Sequence, residues 1–202
     1  METEFSPQEK YKICKGIRKK YKQVAKNPEG LFKYPTGKAG LEALQYDPEV
    51  IKALPETVIA SFCGVGNPFT LGVVNEGESV LDIGCGAGVD TIFAAKMTGP
   101  FGKVVGIDLI PEMLQRAKAN LKLLNLNYVT YEEASSDKLS FADENFDVVI
   151  SNGVFNLVPD KTKALSEVFR VLKPGGRLMI ADQVLIGKLT KDRKQIIKSW
   201  FK

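Results

Sequence analysis

Val80-Leu81-Asp82-Ile83-Gly84-Cys85-Gly86-Ala87-Gly88 decides the fold of this 202-residue chain. The first four residues form a short apolar run, read as a buried strand, and a helix is expected directly behind the glycines, over about 89–97. An apolar strand that ends in alternating glycines and then enters a helix brings backbone N–H groups and a helix N-terminus up to a ligand. Glycine lacks the Cβ that would block that approach. The stretch marks a nucleotide-type cofactor site. Its spacing differs from the dinucleotide pattern G-x-G-x-x-G, because Val89 holds the sixth position; the pattern here is Asp82-x-Gly84-x-Gly86-x-Gly88.

Outward from this turn, Lys103-Val104-Val105-Gly106-Ile107-Asp108 reads as a second strand ending in a carboxylate. An acid at that tip is placed to accept hydrogen bonds from both hydroxyls of a ribose. Strands are expected at 79–83, 103–108, 128–132, 146–151 and 177–184, with helices at about 89–97, 111–124 and 160–172. This alternation is the signature of a doubly wound α/β fold with a mainly parallel sheet. Pro111 and Glu112 suit the first turn of their helix, with Leu114, Ala117, Leu121 and Leu124 as its buried stripe. Asp160 is expected to cap the helix whose Leu165, Val168, Phe169 and Leu172 face the sheet. Upstream, a helix over about 7–26 ends at Asn27-Pro28-Glu29-Gly30, and short helices follow near 37–44 and 48–54. The chain divides into an N-terminal helical cap or lid (1–70) and a cofactor-binding core (71–202).

Composition bounds the chemistry. Hydrophobic residues make up 44% and charged residues 26%, ordinary for a soluble globular domain. No apolar run reaches membrane length and the N-terminus is too polar for a signal peptide, so a cytoplasmic protein is expected. Cys14, Cys63 and Cys85 have no spacing that suggests disulfides or a metal site, and Cys85 reads as a small residue that fits the turn. Histidine is absent, which excludes a histidine general base, a Ser-His-Asp triad and histidine metal ligands. Residues 1–26 carry eight Lys or Arg against three acids and residues 187–202 carry six against one, leaving the middle acidic at 14 against 20. The basic N-terminal helix reads as a solvated face rather than a nucleic-acid footprint, with Cys14, Ile17, Tyr21 and Val24 as its packing stripe.

The acid before the glycines, the G-x-G-x-G spacing, Asp108 and the turn Leu172-Lys173-Pro174-Gly175-Gly176-Arg177 together resemble the class I methyltransferases that use S-adenosylmethionine. That resemblance implies cofactor contacts from Asp82, Gly84, Cys85, Gly86, Gly88, Asp108, Leu109, Ser135, Ser136 and Asn152. Many such enzymes carry a carboxylate after the third strand, where Ala134-Ser135-Ser136 stands here. Such folds also add two strands after the fifth. With 18 residues after Val184, only a helix around 191–201 is expected, leaving the fifth strand an open edge and favouring a homodimer through it.

A closer resemblance covers nearly the whole chain. Ala25-Lys26-Asn27-Pro28, Tyr34-Pro35-Thr36-Gly37 with Gly40-Leu41, Tyr46-Asp47-Pro48-Glu49, Gly64-Val65-Gly66-Asn67-Pro68, the glycine turn and Ser151-Asn152-Gly153-Val154-Phe155-Asn156-Leu157-Val158-Pro159-Asp160-Lys161 are together similar to the arsenite methyltransferase group. The thiols of that group stand at the positions of Val65 and Gly153, so the frame is kept and the arsenic ligands are missing; Cys63 lies two residues from the first position. Substrate-pocket candidates are Tyr21, Phe62, Cys63, Asn67 and Phe155. Ser151-Asn152-Gly153-Val154 also lacks the Pro-Pro-aromatic turn of enzymes that methylate exocyclic amines of bases. The expected function is methyl transfer to a small molecule, by alignment and water exclusion. Arsenite methylation through Cys63 with external thiols and cofactor binding without turnover stand as alternatives. No metal, nucleic-acid or membrane partner is expected.

Overall fold

The computed structural model describes residues 5–184, 186, 192 and 195–197. Five strands, β1 (Ser79–Ile83), β2 (Lys103–Asp108), β3 (Val129–Glu133), β4 (Phe146–Asn152) and β5 (Leu172–Ala181), form one parallel sheet in the order β3-β2-β1-β4-β5. β1 is central, with Val80 paired to Val104 on one side and to Val148 on the other. The strand order reverses between β1 and β4, and ligands of such sheets bind in the crevice outside the strand ends at that point.

The period-two alternation of the strands splits the core in two. On one face Val80, Val104, Val148 and Ile150 pack with Ala94, Ala95, Leu114 and Ala117 of helices α5 (Val89–Thr98) and α6 (Pro111–Leu121). On the other, Leu81, Val105, Phe146 and Val149 pack with Ala164, Val168 and Val171 of α7 (Lys161–Val171). Each fully buried aliphatic side chain contributes roughly 1.5–3 kcal/mol.

The segment upstream of β1 packs on α5 and α6. It comprises α1 (Pro7–Val24), α2 (Gly37–Ala43), α3 (Pro48–Ala53), α4 (Glu56–Ile59) and a 3₁₀ turn (Pro68–Leu71). Leu41, Tyr46, Ile51, Val58 and Phe62 share one apolar cluster with Val89, Ile92 and Phe93. α1 starts at a capping box in which Ser6 accepts the Glu9 N–H and Glu9 accepts the Ser6 N–H, with Pro7 in the first turn. Lys10, Arg18 and Lys22 of α1 then pair with Asp160 at 3.2 Å, Glu133 at 3.7 Å and Glu112 at 2.8 Å. Part of the basic face read as solvated is therefore spent on acids at the C-terminal rim of the sheet.

Three expectations need correction. The sheet-facing stripe of α7 is Ala164, Val168 and Val171, whereas Phe169 is 83% exposed and Leu165 43%. Two apolar stripes compete on this helix, and the smaller one lets it approach Leu139 and Phe146. β5 begins at Leu172 rather than at 177: Leu172 pairs with Phe146 and Arg177 with Val148, so Lys173-Pro174-Gly175-Gly176 bulges out within the strand. Of the stripe read for α1 only Val24 is buried, Cys14, Ile17 and Tyr21 being half-buried, and Ile13, which that stripe omitted, is fully buried. The helix expected around 191–201 falls largely outside the described residues.

Candidate functional site

A cavity of about 260 Å³ opens above the C-terminal ends of β1, β2 and β4. Its floor is the glycine turn. Gly84 and Gly88 have φ of +70° and +81°, and a Cβ would run into Val154 at the first and into the Tyr131 hydroxyl at the second. Only glycine meets both demands. The Cys85 N–H donates to the Ile107 carbonyl at 2.9 Å, fastening the turn to β2, and Gly88 caps α5.

Asp108 closes the second wall. Its Oδ2 accepts the Gly86 N–H at 2.9 Å and its Oδ1 accepts the Ile110 N–H at 2.8 Å, so the carboxylate is fixed by the two loops it joins. Each oxygen keeps a further lone pair, which suits a ribose diol. Burial pushes Asp108 up to about 6, against the pull of the backbone N–H groups at Ile110, Gly86 and Leu109.

Of the residues expected at the cofactor, Gly84, Cys85, Gly86, Asp108, Leu109, Ser135, Ser136 and Asn152 line the cavity. Asp82 lies behind the turn, 2% exposed, where it accepts the Thr91 hydroxyl at 2.6 Å and braces α5 against β1. Gly88 is likewise a structural cap outside the lining. Among the pocket candidates, Tyr21, Phe62 and Cys63 line the cavity. Asn67 does not: it accepts the Phe69 N–H and donates to the Leu44 and Gln45 carbonyls, folding its own turn. Phe155 belongs to the core under α7. The roof comes from Lys10, Cys14, Ile17 and Tyr21 of α1 and from residues 61–64.

Two lining carboxylates escaped the sequence reading. Asp137 accepts the Ser135 hydroxyl, so the acid sought at 134–136 stands one residue later. Asp90, in the first turn of α5, is 9% exposed and accepts the Tyr46 hydroxyl at 2.6 Å and the Asn152 amide at 2.9 Å. Desolvation pushes it up, against these two hydrogen bonds. An acid behind a glycine turn was a visible signal; its partner Tyr46, distant in sequence, was not. Asn152 also accepts the Val65 and Gly66 N–H groups at 2.8 and 3.1 Å, tying the loop over 64–66 to the tip of β4. Among the described residues, the ion pairs include neither Asp90 nor Asp108. Among the same residues no cluster of His, Cys, Asp or Glu could hold a metal ion.

Comparison with known proteins gives a consistent result. Residues 74–202 match a family described as a methyltransferase domain. An arsenite methyltransferase of Halobacterium salinarum is 39% identical over 149 residues, covering 74% of this chain and 38% of that protein. A ubiquinone/menaquinone biosynthesis C-methyltransferase of Pasteurella multocida is 41% identical over 111 residues, covering 54% and 41%. The crystal structure of an arsenic(III) S-adenosylmethionine methyltransferase from Chlamydomonas reinhardtii superposes with a TM-score of 0.56 at 35% identity, covering 74% of this chain and 50% of that one. The chain thus spans about two fifths of the length of these curated relatives. Since the domain match agrees with the glycine turn, the fixed carboxylate at the tip of β2 and the sheet order, the chain belongs to the S-adenosylmethionine-dependent methyltransferase family, and S-adenosylmethionine is its cofactor.

Proposed function

We propose that this chain transfers a methyl group from S-adenosylmethionine to a small-molecule acceptor other than arsenite. When bound, the cofactor supplies a methyl group activated by its sulfonium. The residues of the chain hold and align: Asp108 takes the ribose, the glycine turn admits the cofactor close to the backbone, and Ser135, Ser136 and Asp137 flank the base. α1 and residues 61–64 roof the cavity and keep water out, while Tyr21, Phe62 and Cys63 shape the acceptor side.

The carrying observation is the pair Val65 and Gly153, where the arsenite methyltransferase resemblance calls for thiols. A Cβ on Gly153 would stand 3.2 Å from Val65 Cγ1, so these positions adjoin and present no sulfur. Trivalent arsenic is soft and is held by several thiolates at once. Cys63 remains, and burial pushes its thiol up to about 12, the opposite of activation. The relative named for ubiquinone and menaquinone biosynthesis supports a carbon acceptor. The relatives named for arsenite favour the second reading, methylation of arsenite through Cys63 and external thiols. Transfer of labelled methyl from S-adenosylmethionine to arsenite, thiols and quinols decides between them. Efficient transfer to arsenite would sink the first reading; its loss in Cys63→Ser would support the second, and its survival there would sink the thiol argument as well.

We also infer self-association through β5, whose outer edge is unpaired among the described residues. Among the same residues no helix is long and apolar enough to cross a membrane.

A further inference from the structure

Asp90 stands where the two halves of the site meet. It belongs to the first turn of α5, directly behind the glycine turn, yet the groups that hold it come from distant segments, Tyr46 from upstream of β1 and Asn152 from the tip of β4. The Tyr46 hydroxyl donates to Oδ1 at 2.6 Å, and Asn152 Nδ2 donates to Oδ2 at 2.9 Å. The same Asn152 clamps the loop carrying Val65, through the Val65 and Gly66 N–H groups and the Gly66 carbonyl at 2.7 Å. Both donors to Asp90 are neutral; they orient the carboxylate without cancelling its charge. Among the described residues no Lys or Arg forms an ion pair with it, and Lys10, which lines the same cavity, is paired with Asp160 at 3.2 Å. A buried carboxylate without a cation is unfavourable unless it takes up a proton, as the neighbouring Asp82 can behind the turn, or a ligand brings the missing charge, which a carboxylate lining the cavity can receive.

We infer that Asp90 is the countercharge to the sulfonium of S-adenosylmethionine and the residue by which the cavity prefers the methyl donor to S-adenosylhomocysteine. The inference rests on the cofactor assignment above. The methyl group must pass from the glycine turn to the wall formed by Cys63, Gly64 and residues 152–154, and Asp90 is bonded to Asn152 of that wall. As an electron pair of the acceptor forms the new bond to the methyl carbon, the carbon–sulfur bond breaks with its electron pair remaining on sulfur, and any proton displaced from the acceptor passes to solvent. The product sulfur is neutral, so the attraction to Asp90 ends with the reaction and favours product release.

Calorimetry on the wild type and Asp90→Asn with S-adenosylmethionine, S-adenosylhomocysteine and sinefungin tests this. Sinefungin carries a protonated amine near the position of the sulfonium. In Asp90→Asn the preference for the methyl donor over S-adenosylhomocysteine is expected to fall about 10- to 100-fold, with sinefungin following the methyl donor. Equal weakening of all three ligands, or no change, overturns the inference. Tyr46→Phe, which keeps the carboxylate but removes its shortest hydrogen bond, should lower the same preference about threefold. If Asp90→Asn does not fold, an unchanged preference in Tyr46→Phe is the refuting result. A wild type that binds none of the ligands would strike the cofactor assignment and this inference together, whereas binding with an unchanged preference strikes the inference alone.

Discussion

Replacing Asp108 by asparagine separates what this carboxylate does for the cofactor from what it does for the fold. The side chain accepts two backbone N–H groups, from Gly86 at 2.9 Å and Ile110 at 2.8 Å. Asparagine offers one acceptor oxygen, so one of these donors would meet an NH₂ group, a loss of about 1–3 kcal/mol. Against this stands the anion itself. Burial lifts the group from 3.8 to about 6, so above that pH the folded protein carries a charge that costs roughly 3 kcal/mol relative to the unfolded chain. The amide removes that cost. The two effects nearly cancel, and melting near pH 8 is expected to shift by no more than about 5 °C. Affinity has no such compensation: charge-assisted hydrogen bonds to the ribose are lost, about 1.5–3 kcal/mol, or roughly 10- to 150-fold. The pH dependence sharpens the test. A native carboxyl raised above its unfolded value binds protons between 3.8 and about 6 that the unfolded chain releases, so its contribution to stability is present below that window and lost as pH rises through it. Cofactor affinity runs the other way, rising as the carboxylate forms. Calorimetry and thermal melts between about pH 5 and 8 should show both slopes in the wild type and reduced slopes in Asp108→Asn. Wild-type affinity in the variant, or a wild-type Kd flat across that range, would refute the assignment.

Val65→Cys with Gly153→Cys should create arsenite binding, measured by calorimetry, without changing cofactor affinity. Since Gly153 has φ of +70° and its added Cβ would press on Val65 at 3.2 Å, Gly153→Cys alone should melt below the double variant, in which Val65→Cys removes a methyl group from the contact; a double variant blind to arsenite counts against the thiol argument. The pairs Lys10–Asp160, Arg18–Glu133 and Lys22–Glu112 tie α1 to the rim of the cavity. Raising salt from about 0.05 to 0.5 M should therefore speed S-adenosylmethionine dissociation severalfold in stopped flow, and a salt-independent rate would show that α1 is held by packing alone. Light scattering should report a dimer if β5 pairs across its outer edge, and a monomer at high concentration would remove that proposal.

What could be read from the sequence follows the range of the forces involved. The strand, the glycine turn and the place of Asp108 at the tip of β2 were legible because what sets them is local: positive φ and the close approach of Val154 and Tyr131 demand glycine, and the acid follows at the end of the next apolar run. The phase of α7 was not, since Leu165-Phe169-Leu172 and Ala164-Val168-Val171 are both apolar at helical spacing; only the bulk of Leu139 and Phe146 opposite selects the smaller set. Asn67 carried the right side chain for a ligand but closes its turn by bonding Leu44 and Gln45, a partnership set by the path of the cap. Asp90 is the most instructive omission. In sequence it is an acid in the first turn of a helix, where the helix dipole already accounts for it. Its charge gains functional meaning only when Tyr46 and Asn152, from two distant segments, bury and aim it in a cavity. The cofactor frame is therefore local in the chain, whereas the part of the site that tells donor from product is assembled by tertiary packing. Variation in the cap can then retune the reaction while leaving the glycine turn untouched.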